Sequence, residues 1–354
     1  MKNFLKRNSL FLILCLIFCV LFILYPDLCL DGAKRGLLIS GDIIIPSLFP
    51  FSVCVLFIIN LNIAVDLSIL NRFTNKVFGH SFGVIITMFL SMLGGYPIGA
   101  KLIDGHLKRG EIDSKQASYM LAYCINAGPA FIIIAVGEGL LHSKYIGFIL
   151  LFSHITASLI ICAISGKILK KSITIKTKKS SKNINIIDNF VLSVADSADA
   201  MIRICSFIIV FSVFNSYLNA FSQELPLLKI LSFISEVTSG VAVTKNIIVI
   251  SFILGFSGLC ICCQVLSLLN NCNVKLGVLL LYRAVHGGLS AFITLIILKI
   301  FSIPISAISN GINVKKMYTY GGVKITISLF IMILLLFITL FSKNHSGKKE
   351  NNMV

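Results

Sequence analysis

Residues 89–101 read FLSMLGGYPIGAK and residues 233–245 read FISEVTSGVAVTK, two stretches with one apolar frame, one cluster of small residues and one closing lysine. Working outward, AGPAFIIIAVGEG at 127–139 lies over SGLCICCQVLSLL at 257–269, and KYIGFILLFSHITASL at 144–159 lies over VKLGVLLLYRAVHGGL at 274–289. The last two pairs share one register, so the chain reads as two halves built on one plan. Both opening stretches are apolar segments interrupted by glycine or proline. Interruptions at matching positions of two halves point to the binding site of a secondary transporter.

The 354 residues are 57% hydrophobic and 13% charged, with a mean hydropathy of +0.96. That is more apolar surface than a soluble core can hide, so the chain reads as a polytopic membrane protein. A formal net charge of +17 raises the question of nucleic acid. The basic residues instead gather in short loops beside apolar runs, most densely at Lys167, Lys170, Lys171, Lys176, Lys178, Lys179 and Lys182. This is the positive-inside pattern of a cytoplasmic loop, with a lipid head-group patch as the second reading. The expected partner is therefore the lipid bilayer and not nucleic acid. Most of the eleven cysteines lie within apolar runs, where a thiol behaves as a small hydrophobe. Cys260, Cys262 and Cys263 form a run with no histidine or second cysteine pair beside it, so no metal or cofactor is expected.

Apolar runs of about 20 residues fall at 9–25, 36–64, 117–141, 145–168, 191–221, 247–269, 276–301 and 325–341, with broken pieces at 82–100 and 228–244. The first run follows Lys2, Lys6 and Arg7 like a signal peptide, but YPDLCLDGAK after it carries no A-x-A, so it reads as an uncleaved helix. If each broken piece is a re-entrant hairpin, each half crosses three times, and an odd number forces the halves into opposite orientations. The expected fold is all-α, with about eight transmembrane helices plus two re-entrant hairpins in an inverted repeat. Its parts are an N-terminal helix (1–30), a first repeat (31–168), a basic cytoplasmic loop (169–189), a second repeat (190–302) and a C-terminal helix with its tail (303–354). A homo-oligomer is compatible with this plan.

Non-helical backbone at membrane depth is tolerated only where protein buries it or it lines a wet cavity. Gly94, Gly95, Tyr96 and Pro97 form one such break, and Thr238, Ser239 and Gly240 the other. Their free amides, and the positive dipole end of each helix that restarts, favour an anionic group in the gap. Polar residues near the breaks join the candidate site: Asn126 and Gly128 in the first half, and Glu236, Ser257 and Gln264 in the second. An ionisable residue within a span is a functional candidate by default, which puts Glu236 first. Lys101 and Lys245 each close a broken piece, either snorkelling to the interface or facing one shared cavity. Arg283 lies three residues before His286 in an apolar span; the arginine suits a bidentate grip on a carboxylate, the histidine a satisfied helix contact.

No Ser, His and Asp set, H-E-x-x-H motif, P-loop or dinucleotide glycine fingerprint is present, so no enzyme is expected. With GGYPIGAK at 94–101, INAGPAFIIIAVG at 125–137, SEVTSG at 235–240, FSGLCICCQ at 256–264 and PSLFPFSV at 46–53, the chain resembles the YlbJ-type sporulation integral membrane proteins, which carry paired nucleoside-recognition or Gate domains. One departure is the pair Gly94 and Gly95, where a small hydroxyl residue is expected. The resemblance implies a role in endospore formation in the outer forespore membrane, dipicolinate as the small anionic metabolite carried, and a distant likeness to concentrative nucleoside transporters. Three functions follow: a dipicolinate transporter, a carrier of a nucleoside or other metabolite, or a non-transporting assembly protein of the spore envelope.

Overall fold

The computed structural model describes residues 2–61, 68–168, 170–175, 185–223, 225–269, 272 and 274–303. The regular elements within them are helices. The first half contains α1 (Lys2–Leu24), α2 (Pro26–Leu38), α3 (Ile45–Asn60), α4 (Ser68–Phe78), α5 (Phe82–Gly94), α6 (Tyr96–Lys108), α7 (Ser114–Met120) and α8 (Lys144–Ala163). The second contains α9 (Ile186–Ala220), α10 (Pro226–Ser235), α11 (Val237–Val243), α12 (Ile247–Phe256), α13 (Gly258–Leu268) and α14 (Leu276–Ile300). Three stretches are π-helical: π1 (Ile39–Ile44), π2 (Ala130–Leu140) and π3 (Ile164–Ile168).

Among the described residues, five helical stretches are long and apolar enough to cross a membrane: Pro26–Asn60, Lys144–Ile168, Ile186–Gln223, Ile247–Leu268 and Leu276–Ile300. A sixth is added if Ile69–Phe78 and Phe82–Gly94, bent by 77°, form one broken span. This is fewer than the eight expected, and the reasons are local. The run at 117–141 is not one helix: α7 ends at Met120, residues 121–128 are turn and irregular backbone, and helical geometry resumes at Pro129 and continues in π2. The run at 9–25 falls on α1, which spans Lys2–Leu24. The run expected at 36–64 instead starts at Pro26, so the boundary placed after residue 30 falls inside α2. The run at 325–341 lies outside the described residues.

Proline explains the irregular centre of the Pro26–Asn60 stretch. Pro46 has no N–H for the Asp42 carbonyl, so the ladder slips there into π1, with the Ile45 amide bonded to the Ser40 carbonyl. The Ser47 hydroxyl donates to the Ile43 carbonyl at 2.5 Å and replaces part of what the proline removes. Around this stretch, α2 and α3 lie along α9, α12 lies along α14, and α8 packs between π2 and α14. The break residues Gly95 and Glu236 are buried, while α10 keeps Leu227, Ile230 and Leu231 exposed.

The end of α6 is closed by a polar clasp. His106 Nδ1 lies 2.5 Å from Glu111 Oε2, and Arg109 donates from Nε to Oε1 at 2.9 Å and from Nη2 to Oε2 at 3.0 Å. Burial pushes the Glu111 pKa up, but the bonds and charges of His106 and Arg109 outweigh it and hold the carboxyl at about 2, below its ordinary 4.5. A depressed carboxyl stabilises the fold above its unfolded pKa, and that contribution is lost as pH falls through the folded value. Glu111→Gln should therefore lower the melting temperature of the detergent-solubilised protein at pH 7. The gap to the wild type should close between about pH 5 and pH 2; a gap independent of pH would refute the assignment.

Candidate functional site

A helix that stops inside a bilayer leaves its last four carbonyls without intrahelical donors. α12 stops at Phe256, and each of its last four carbonyls finds a donor. The Ser257 amide bonds to Ile253 O at 2.8 Å, the Tyr96 hydroxyl donates to Leu254 O at 2.6 Å, Arg283 Nη2 donates to Gly255 O at 2.5 Å, and the Ser257 hydroxyl donates to Phe256 O at 2.6 Å. Ser257 and Gly258 turn the chain through two consecutive left-handed residues, φ +66° and +76°, before α13 restarts. Two of these four donors come from elsewhere in the fold, Tyr96 from the first broken piece and Arg283 from α14.

The irregular residues 121–128 are secured by the same group of side chains. Arg283 Nη1 donates to Ile125 O at 2.6 Å, so one guanidinium joins the breaks of both halves. Asn126 Nδ2 donates to Tyr123 O at 2.8 Å and its oxygen accepts from Ser158. The Ala127 amide donates to His154 Nε2 at 3.1 Å, which leaves the imidazole proton of His154 on Nδ1. Arg283 can only donate, so its 2.8 Å contact makes His286 Nδ1 an acceptor. The His286 proton then sits on Nε2, which donates to His154 O at 3.1 Å. Arg283, His286, His154, Ser158 and Asn126 are all fully enclosed, each with 0% exposure.

The four interruptions of the backbone are neighbours. A methyl group added at Gly128 would lie 3.6 Å from the Gly95 Cα, so the break of the first hairpin rests on residues 121–128. One added at Gly258 would lie 3.4 Å from the Glu236 Cα, so the break between α10 and α11 rests on the one between α12 and α13. The first hairpin breaks at Gly95 alone, with φ +81°; Gly94 closes α5, while Tyr96 and Pro97 open α6. The second breaks at Glu236, three residues earlier than the overlay of Phe89 on Phe233 implies. Thr238 and Gly240 are helical, in α11.

The remaining candidates divide. Buried Glu236 accepts from the Thr238 amide at 2.9 Å and from the Thr238 hydroxyl. Gln264 is fully buried and bonds Cys260 Sγ at 3.2 Å. Arg283 presents no open bidentate edge, because its nitrogens are committed to Ser257, Ile125, Gly255 and His286. Lys101 is not at the centre: it pairs with Asp196 of α9 at 3.4 Å and donates to the Asp196 carbonyl at 2.7 Å. Lys245 is exposed beside the start of α12. Sequence reading passed over His154, Ser158, Asp196 and Arg203. A histidine within the apolar run ILLFSHITASL and the charged stripe in SVADSADAMIR were the signals available.

The chain is similar to the sporulation integral membrane protein YlbJ of Bacillus subtilis (strain 168), 23% identical over 321 aligned residues that cover 78% of this chain and 79% of that protein. No family model matches. No solved structure matches. Apolar helices and this relative together make the chain an integral membrane protein with a distant likeness to YlbJ.

If Arg283 ties the two halves together, its loss orphans Ile125 O and Gly255 O, at roughly 1–3 kcal/mol for each buried acceptor. Arg283→Met should destabilise the detergent-solubilised protein by roughly 2–6 kcal/mol on that basis. Arg283→Lys should fall between it and wild type, since an ammonium cannot span both carbonyls, and Ser257→Ala should be mildest. Chemical unfolding curves check the order; a neutral Arg283→Met would refute the tie.

Proposed function

We propose that this chain, distantly similar to YlbJ, is a sporulation membrane carrier for a small anionic metabolite, with dipicolinate as the lead substrate. The activity is transport and not bond-making chemistry. One observation carries the reading: Arg283 is fully buried where four backbone breaks meet, and its partners are carbonyls, a hydroxyl and a neutral imidazole. No carboxylate among the described residues pairs with it. A buried, uncompensated positive charge is costly on its own and favours a negative guest nearby. The helices α6 and α13 and the stretch π2 all restart from these breaks, so their positive ends add to the same field.

In this reading the ligand lies against the amides around Gly95, Gly128 and Gly258, with Asn126, Glu236, Thr238 and Gln264 as side-chain contacts. The two halves form an inverted repeat, supported by the way Gly128 and Gly258, equivalent in the sequence overlay, each rest on the neighbouring hairpin break. The relative's printed name supports sporulation as the setting, and the outer forespore membrane is the proposed location. A second reading has its own observation. The Glu236 carboxylate sits directly at a break, and an acceptor there suits the hydroxyls of a nucleoside better than a dianion.

Uptake of dipicolinate and of uridine into vesicles containing the purified chain separates the two. Dipicolinate uptake is expected, reduced by about tenfold or more in Asn126→Ala and Thr238→Ala, on the scale of one or two lost buried hydrogen bonds. Uridine uptake alone, abolished by Glu236→Gln, would select the nucleoside reading. Flux of neither, with all variants inserted and folded, would remove the carrier proposal.

A further inference from the structure

Away from the convergence of the breaks, a cavity of about 300 Å³ lies between α3, α6, α9 and α13. It is walled by four cations (Lys101, Lys108, Arg109, Arg203) and three carboxylates (Asp104, Asp196, Asp199), with Ile59 and Asn60 of α3 and Ser267 and Leu268 of α13 completing it. Two of its ion pairs stay within one helix, Lys108–Asp104 at 2.8 Å in α6 and Arg203–Asp199 at 3.1 Å in α9. Such i,i+4 pairs are weak and exchange readily. Lys101–Asp196 is different, because it crosses from α6 to α9.

We propose that this cavity is an anion-capture vestibule, in which a carboxylate of the ligand displaces Asp196 from Lys101 before the ligand moves to the centre. The inference rests on the carrier reading above and assigns Lys101 a place within it. Three observations support it. The Lys101–Asp196 contact is long, at 3.4 Å, and partly open to solvent, with the two side chains 19% and 42% exposed. A ligand carboxylate can therefore reach the ammonium and compete for it. Lys101 stands six residues beyond Gly95 on the same half-helix, roughly 9 Å along its axis, so releasing it from α9 frees the arm that carries the first break. Finally, polar groups continue inward. Gln264 is about one turn before Ser267 and Leu268 on α13, and Ser197 follows Asp196 on α9. Gln264 Oε1 and Ser197 Oγ are buried with no hydrogen-bond partner among the described residues. Cys260, one turn further on α13, accepts from Gln264 Nε2 at 3.2 Å, and Gly258 at the start of α13 rests on Glu236, so this file of polar groups leads to the second break.

The chain has no tryptophan, so Ile59→Trp puts a single indole at the cavity, and Asn60→Trp is a second reporter should the first fail to fold. With the full chain in detergent, dipicolinate should quench the indole saturably and uridine should not. Asp196→Asn removes the carboxylate that pairs with Lys101 and adds one net positive charge, and should lower the half-saturating concentration by about 3- to 10-fold, while Lys101→Gln should raise it comparably. No quenching in either folded reporter, or both substitutions shifting it in one direction or not at all, would overturn the vestibule. If vesicle uptake survives that result, the carrier reading stands without it. Charge-dependent quenching in a protein that moves no dipicolinate would instead retain the capture site and remove the carrier.

Discussion

The fold depends on satisfying main-chain hydrogen bonds where a membrane offers no water to do it. Hydrocarbon leaves an unpaired carbonyl at full cost, so a chain that interrupts its helices at that depth must supply donors from elsewhere. Here the supplier is Arg283. A guanidinium has five N–H groups in a rigid fork and no acceptor, which suits it to join two carbonyl groups on separate segments. It bridges Ile125 of the first half and Gly255 of the second, and it does so from a third element, α14. A lysine would place one ammonium near one of them. The desolvation of the charge is offset by these several short bonds, and no carboxylate among the described residues pairs with it.

Two consequences come from that imbalance. The neighbouring imidazoles are held neutral by geometry: His154 accepts from a main-chain amide and His286 accepts from the guanidinium, so neither adds positive charge. The positive field at the junction is then set by one arginine and by helix ends, none of which moves when the pH changes modestly. If an anion binds there as proposed, it meets donors already held in place by the same bonds that hold the fold. The two hairpins meet this field differently. At Gly95 the break has no side chain and lets the backbone approach Gly128, whereas at Glu236 it brings a carboxylate tied to Thr238. The site is thus asymmetric although the halves resemble each other, and its second hairpin tempers the field that the first leaves open.

Much of this was legible in the sequence. Hydrophobic runs give the helices, and GGYPIGAK and SEVTSG mark where they break, because glycine, proline and clustered hydroxyls are poor company for an uninterrupted ladder. The run at 117–141 misled because its apolar residues outnumber the Gly128–Pro129 interruption, and hydropathy does not register a left-out hydrogen bond. The partner of each polar residue was not legible. Arg283 looks like a ligand-gripping arginine in sequence, and only the fold shows that main-chain carbonyls 158 and 28 residues away take its donors. Lys101 and Lys245 look equivalent because they close matching segments, but Asp196 claims the first, and nothing local in GGYPIGAK records an aspartate 95 residues further on.

The contrast between Arg283 and Lys101 suggests a division of labour. Arg283 is enclosed, multiply bonded and needed by the backbone, so it can bias a ligand by its charge but cannot follow one. Lys101 is partly exposed and held by one carboxylate and one carbonyl, and its release is what the proposed vestibule requires. Under the proposed carrier reading the two cations would act differently, the fixed one shaping the main chain and the other free to meet a ligand. The placement of the fixed cation at the junction of the breaks and of the movable one about two turns down α6 follows from a plain constraint. The charge that repairs the backbone must sit where the backbone is broken, which leaves exchange to be performed at the margin.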